Sequence, residues 1–353
     1  MEGYGGAPDD LTLAHGDSSA RIEVGPAISR AAREASPATT LAEGATRAVG
    51  AGDRQRREEP DEFRSCFERD RDRILHSNAF RRLAGKTQVF VFPEDHMRTR
   101  LTHALEVAQV AVGIARPLGL NVALVEAIAL GHDCGHGPGG HASEEALDPF
   151  VEHGFDHATW GADVSLASLN LCVETLDGIR NHSWSRPAPA TPEGEIVSWA
   201  DRIAYSCHDF EDAVSAGVVE IDDLPSIVAT RCGTRRGQQL GTFINAMIHT
   251  VASTGVIGMD AAHAETLAAF RAFNYEHIYL RDASRDQAER VVVMLRALVE
   301  HYAAHPELID EQPGEPLERA VAYVAGMTDR FACRSALTLL NWPEDRLPTG
   351  IDR

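Results

Sequence analysis

Residues 129–141 read "ALGHDCGHGPGGH", and between Gly131 and His141 stand three histidines, one aspartate and five glycines. Glycine destabilises a helix interior by about 1 kcal/mol relative to alanine, so this run ends a helix and opens a tight loop rich in free backbone groups. Histidine and aspartate on such a loop point to a site.

The neighbouring segments have helical periodicity. Upstream, "RLTHALEVAQVAVGIARPLG" (100–119) and "NVALVEAIALGHD" (121–133) each carry an apolar face and are separated by Pro117 and Gly119. Downstream, Thr191 and Pro192 in "ATPEGEIVSWADRIAYSCHDFEDAV" (190–214) form a polar cap followed by a first-turn proline, which predicts a helix running past Asp209. Two more long helices are expected in "DQAERVVVMLRALVEHYAAH" (286–305) and "EPLERAVAYVAGMTDRFACRSALTLL" (315–340). Strand-like alternation is sparse, "KTQVFVF" (86–92) being its best example. The fold expected is all-α, a helical bundle with a C-terminal helical extension.

Residues 1–60, rich in Ala, Gly, Ser, Pro and charge, read as a flexible N-terminal extension, and residues 61–353 as the folded unit. Within that unit the core is expected at 95–215 and the C-terminal helical part at 235–353. With 353 residues and 44% hydrophobic content the chain can bury a sizeable core. A formal charge of -20 argues against a stable nucleic-acid complex and against an anionic membrane surface, so an anionic ligand needs a local cationic pocket. The sequence has no apolar run of membrane-spanning length and no secretory signal pattern, which gives a cytoplasmic expectation. Six cysteines without a CxxC pair suit reduced thiols.

His103 lies mid-helix, His132 and Asp133 close the next helix, and Asp201 lies on a third. Two imidazoles and two carboxylates make the mixed nitrogen and oxygen set that divalent transition metals accept. Asp201, Tyr205 and Asp209 are four apart and share one helix face, with His208 beside them. Taken singly each residue has an ordinary structural explanation, and it is their ordered combination that points to a centre.

That order resembles the HD-domain superfamily of metal-dependent phosphohydrolases. "FRRLAGKTQVF", "RTRLTHALEVAQVA", "AIALGHDCGHGPGGHASEEAL", "GFDH", "WADRIAYSCHDFEDAV" and "VAGMTDRF" together look like its deoxynucleoside triphosphate triphosphohydrolase family, the dGTPase-like branch. The resemblance implies hydrolysis of a dNTP at the α-phosphorus, giving a deoxynucleoside and inorganic triphosphate. It implies one divalent ion per active site (Mn, Mg, Fe, Co, Ni or Zn) held by His103, His132, Asp133 and Asp201. It also implies His141, Glu144 and His157 as the catalytic group, with Arg100, His136 and Arg202 facing phosphates. Tyr205, Asp209 and Tyr279 would line the deoxyribose end, and Arg271 is a further substrate-side arginine. Relatives of this kind imply a homo-oligomer and an activating nucleotide. Other readings are a different HD-type phosphohydrolase, such as a nucleotidase or phosphodiesterase, and a nucleotide sensor without turnover. The chain departs from the family pattern at Gly139, where an aromatic is common, and at Ser143, where a glycine is usual.

Overall fold

The computed structural model describes residues 4–5, 12–13, 23, 25–36, 41–90, 97–310 and 314–349. Among these, fifteen α-helices follow one another. The first group is α1 (Arg30–Ala35), α2 (Cys66–His76), α3 (Asn78–Arg82), α4 (Arg100–Ala115) and α5 (Val122–Gly131). Then come α6 (Ala142–Leu147), α7 (His157–Trp160), α8 (Val173–Arg180), α9 (Pro192–Ser215) and α10 (Ser226–Cys232). The series closes with α11 (Arg236–Thr254), α12 (Ala261–Asn274), α13 (Asp282–Ala304), α14 (Pro316–Ala325) and α15 (Asp329–Leu340). The fold is all-α, and strand pairing among the described residues is confined to the two-residue pair Tyr4–Gly5 with Thr12–Leu13 and two isolated bridges, Arg54 with Cys172 and Thr87 with Thr99.

The helix starts follow the local chemistry. Ser65 caps α2 in a reciprocal box with Glu68, Asn121 caps α5, and Thr191 caps α9 through the Gly194 amide at 3.1 Å, with Pro192 in the first turn. The predicted α9 therefore forms with the predicted start and runs 24 residues.

Packing divides into two apolar clusters. The larger joins α2, α4, α5 and α9 to α10–α12 through side chains such as Phe67, Ile114, Ile128, Ile203, Phe243 and Phe270. The smaller joins α6 to α13, α14 and α15 through Leu147, Leu295, Leu298, Val324 and Ala336. The glycine-rich loop at 132–141 lies between them.

Two expectations meet a different structure. The strand candidate at 86–92 is loop over its described residues, 86–90; Val91 and Phe92 lie outside them. The Lys86 carbonyl accepts from the Arg100 amide at 3.3 Å and Thr87 makes a single bridge to Thr99, so no ladder is continued. The boundary at residue 60, drawn from composition, falls inside packed structure. Arg54 is buried, with Nη1 on Asp70 Oδ1 at 2.5 Å and Nη2 on the Cys66 carbonyl at 2.9 Å. Thr46 donates from its amide and hydroxyl to the buried carboxylate of Glu193 at 3.0 and 2.6 Å. These anchors are polar, so apolar periodicity did not report them.

Candidate active site

The metal-type quartet is assembled by three helices. His103 sits one turn into α4, His132 and Asp133 follow the last residue of α5, and Asp201 lies in the middle of α9. His103 Nε2 is 3.0 Å from Asp201 Oδ1 and 3.9 Å from Asp133 Oδ2, while His132 Nε2 is 3.7 Å from Asp201 Oδ1 and 3.5 Å from Asp133 Oδ1. Two ligand atoms each about 2.1 Å from one ion stand roughly 3.0–3.4 Å apart at square or tetrahedral angles, so these spacings suit a shared cation. His132 Nδ1 donates to the Ala129 carbonyl at 2.6 Å, which fixes the proton there and leaves Nε2 as a lone pair. That Nε2 is buried with no hydrogen-bond partner. A buried acceptor aimed at three other donor atoms fits a divalent ion.

Charge at the quartet is arranged for carboxylate ligands. Burial opposes ionisation of Asp133, but Arg100, His132 and His136 outweigh it and hold the carboxyl well below its ordinary range. Asp201 is likewise lowered, burial being overcome by His103 and His132. Arg100 pairs with Asp133 at 2.7 Å.

Beyond the quartet, the loop delivers a second cluster. Glu144, in the first turn of α6, is 3.4 Å from His141 Nδ1 and 2.5 Å from His157 Nδ1. Burial would raise this carboxyl, and His141 and His157 together pull it far below the usual value. His136 stacks on His157 with ring centroids 3.8 Å apart and reaches Asp133 Oδ1 at 3.3 Å. His157 Nε2 meets His182 Nε2 at 3.2 Å. His182 donates from Nδ1 to the Ile179 carbonyl, and burial together with His132 and His157 lowers its pKa to about 4, so it is a neutral acceptor. His157, raised by Glu144 against burial, is the charged donor to both neighbours. His141 itself is 77% exposed at the loop's end, while His136 and His157 are buried.

A cavity of about 440 Å3 opens onto both clusters, within the range of small-molecule sites. Every substrate-side candidate lines it. Tyr205 accepts from Arg271 Nε at 2.9 Å, and Tyr279 donates to Asp209 Oδ2 at 2.6 Å. The π-helical turn Tyr275–Tyr279 at the end of α12 carries Tyr279 to that contact. Burial pushes Asp209 up to about 7 and Tyr205 up to about 12. Arg202 stacks on Trp184 with its guanidinium carbon 3.6 Å from the ring centre. A larger cleft, about 1450 Å3 between residues 149–164 and α14, contains none of these groups.

All fourteen residues singled out in the sequence thus border one cavity or the His/Asp cluster beneath it. Sequence reasoning missed His182, Trp184 and Gln88, which also line it. The signal for His182 was weak, a single histidine in the polar stretch "GIRNHSWS". Ser143, one of the departures from the family pattern, accepts from the Gly137 amide at 3.0 Å and donates to the Gly140 carbonyl at 2.6 Å, bridging the loop.

Comparison with known proteins agrees with this geometry. Residues 100–206, which contain all four quartet residues, match the HD domain, and residues 257–336 match the phosphohydrolase-associated domain. The chain is 41% identical over 312 residues to the deoxyguanosinetriphosphate triphosphohydrolase-like protein of Caldanaerobacter subterraneus subsp. tengcongensis, covering 84% of this chain and 89% of that one. The chain belongs to this family. The protein of the same name from Clostridium perfringens strain 13 is 39% identical over 302 residues, covering 79% and 87%. The crystal structure of a hypothetical protein from Aquifex aeolicus shares the fold, with TM-score 0.50 at 19% identity over 78% of this chain and 69% of that one. No helix among the described residues is long and apolar enough to cross a membrane.

Proposed function

We propose that this protein hydrolyses deoxynucleoside triphosphates to a deoxynucleoside and inorganic triphosphate, using a divalent ion held by His103, His132, Asp133 and Asp201. The observation that carries the reading is the convergence of that quartet with the His141, Glu144 and His157 group on one cavity whose other wall carries Arg202, Tyr205 and Arg271. The names of the relatives support the substrate class.

When bound, the ion supplies charge neutralisation at the α-phosphate and a water acidic enough to attack near neutral pH. The chain does the rest by positioning and electrostatics. Arg202 and Arg271 face the triphosphate and offset charge that the acidic protein as a whole repels. Water attacks the α-phosphorus, the bond to the 5′ oxygen breaks, and that oxygen takes a proton. His141 gives the proton, Glu144 holds its Nδ1 side, and His157 fixes Glu144 from behind. Arg100 bears on Asp133 and extends the positive wall toward the phosphates, while His136, whose pKa burial and Arg100 push well down, faces them as a neutral imidazole against Asp133. Asp209 and Tyr279 close the sugar end, where their mutual hydrogen bond leaves little room for a 2′-hydroxyl. The six buried free thiols fit work in the reducing cytoplasm.

The test is incubation of the purified protein with each of the four dNTPs and a matched NTP, with manganese or magnesium restored after chelation, and chromatography of the products. Deoxynucleoside with intact triphosphate is the expected result. Orthophosphate or a monophosphate as product, or no turnover of any dNTP with or without a second nucleotide, overturns the reading.

A further inference from the structure

Two sequence motifs have no part in the reaction above: Lys86 and Thr87 in "FRRLAGKTQVF" and Asp329 in "VAGMTDRF". They lie 242 residues apart and meet beneath the loop that carries His136 and His141. Lys86 is buried, and its ammonium donates to the carbonyl of His136 and, at 3.0 Å, to that of Ala325 at the end of α14. Asp329, the first residue of α15 and also buried, accepts from the Gly139 amide at 2.8 Å on one oxygen and from the Thr87 hydroxyl at 2.6 Å on the other. The loop is therefore gripped at His136 and at Gly139, on both sides of Pro138. Burial lowers Lys86 to about 8 and raises Asp329, and each opposes that by favouring the charged form of the other.

The loop needs such a grip. Gly139 and Gly140 both have left-handed backbones, φ +75° and +65°, which glycine adopts without preference and the chain would otherwise leave. A Cβ on Gly139 would stand 2.5 Å from Val291 on α13, and one on Gly140 would stand 2.9 Å from the Arg100 guanidinium. The backbone is thus pressed against α13 on one side and the Asp133 partner on the other, with no side chain of its own to hold it.

We propose that Lys86, Thr87 and Asp329 are positioning residues that hold the 136–141 loop, and with it the proton donor His141, onto helices α14 and α15. This rests on the reading of His141 as the acid. It gives the C-terminal helices a part in the chemistry although none of their side chains lines the cavity. The bracket is formed entirely by polar groups, two backbone carbonyls, one amide, one hydroxyl, a buried ammonium and a buried carboxylate, so its geometry is directional in a way apolar packing is not.

The experiment compares the full-length parent with Asp329→Ala, Asp329→Asn and His141→Ala, reading kcat, KM, metal content and the pH profile of dNTP hydrolysis. Displacing an acid-bearing loop costs about 10- to 100-fold in kcat. Asp329→Ala is expected to show that loss with KM within about 3-fold of the parent and metal content unchanged. It is also expected to lose the alkaline limb of the profile as His141→Ala does, His141 being faced by Glu144, His136 and His157. Asp329→Asn, whose amide oxygen still accepts from Gly139, restores most of both. Should Asp329→Ala fail to fold, Thr87→Val, which removes only the hydroxyl, takes its place with a smaller loss of the same kind. A fall in active protein that leaves the alkaline limb intact, or no fall at all, overturns the proposal. Hydrogen exchange separates its failure from that of the dNTP reading: the amides of Gly137, Gly139 and Gly140 exchange faster in the variant whether or not any dNTP is consumed, and unchanged exchange overturns the bracket.

Discussion

The two halves of the centre are held by different forces. The quartet stands on α4, α9 and the end of α5, helices of the larger apolar cluster, and its side chains are 1–4% exposed except Asp201 at 20%. The loop half has His136 outside any helix, His141 only at the cap of the short α6, two left-handed glycines, and an imidazole of His141, the proposed proton donor, that is 77% exposed. Its hold comes from Ser143, Lys86 and Asp329. Close packing fixes ligand atoms where a cation demands fixed distances, and directional polar contacts fix a backbone that must bring a side chain up to a substrate.

The largest effect that tests this contrast is at the quartet. Asp133→Ala is expected to abolish metal retention and lower turnover about 1000-fold or more, read by elemental mass spectrometry beside the product assay. Turnover surviving metal loss would break the contrast at its first term. Next, His141→Ala is expected to cost about 100- to 10,000-fold in kcat while metal content stays at the parent value. A parallel loss of metal would show that the halves are not separable.

Gly139→Ala tests the loop's confinement. Its Cβ would meet the β-branched, buried Val291, and its left-handed backbone disfavours alanine, so a stability loss of about 1–3 kcal/mol is expected in denaturant unfolding. Pairing it with Val291→Ala should recover the steric part alone. The smallest effect sharpens the quartet side. Burial pushes Asp209 up to about 7, against Tyr279, His103 and Arg98 and with Asp212 adding to the rise. The folded chain then holds a proton that the unfolded chain releases near pH 4, so the stabilisation from this carboxyl is present below that and is lost as pH rises through 7. Asp209→Asn should remove this dependence, gaining on the parent in stability between pH 4 and 8. A constant difference across that range would mean that α9 presents a solvated face at the sugar end.

Much of this was legible in the chain, and the reasons are local. α9 was readable from Thr191 and Pro192, and its Asp201, Tyr205 and Asp209 stripe from helical spacing alone. His132 and Asp133 were readable because glycines concentrate around them. The described part of that strand candidate, residues 86–90, was misread because alternation reports a strand only where a neighbouring strand exists, and here the backbone of Lys86 serves Arg100. His182 and the Lys86 and Asp329 bracket were invisible for another reason. Their partners lie 25 to 242 residues away, and no periodicity connects them.

The buried pair of Arg54 and Asp70 sets where the protein can be cut. Asp70 also accepts from the Cys172 amide and the Thr175 hydroxyl, so it ties the entry strand of chain to α2 and α8 at once. Trimming after Pro60, where composition changes, strips away the arginine and strands a carboxylate with no exposed surface, a fault of about 3–5 kcal/mol. Trimming ahead of Leu41 spares it. The residues that look most dispensable include the counter-ion of the bundle's interior, and a cut that keeps this pair still removes α1, whose Arg33 lies on both carboxylate oxygens of Glu68 at 3.0 and 2.9 Å.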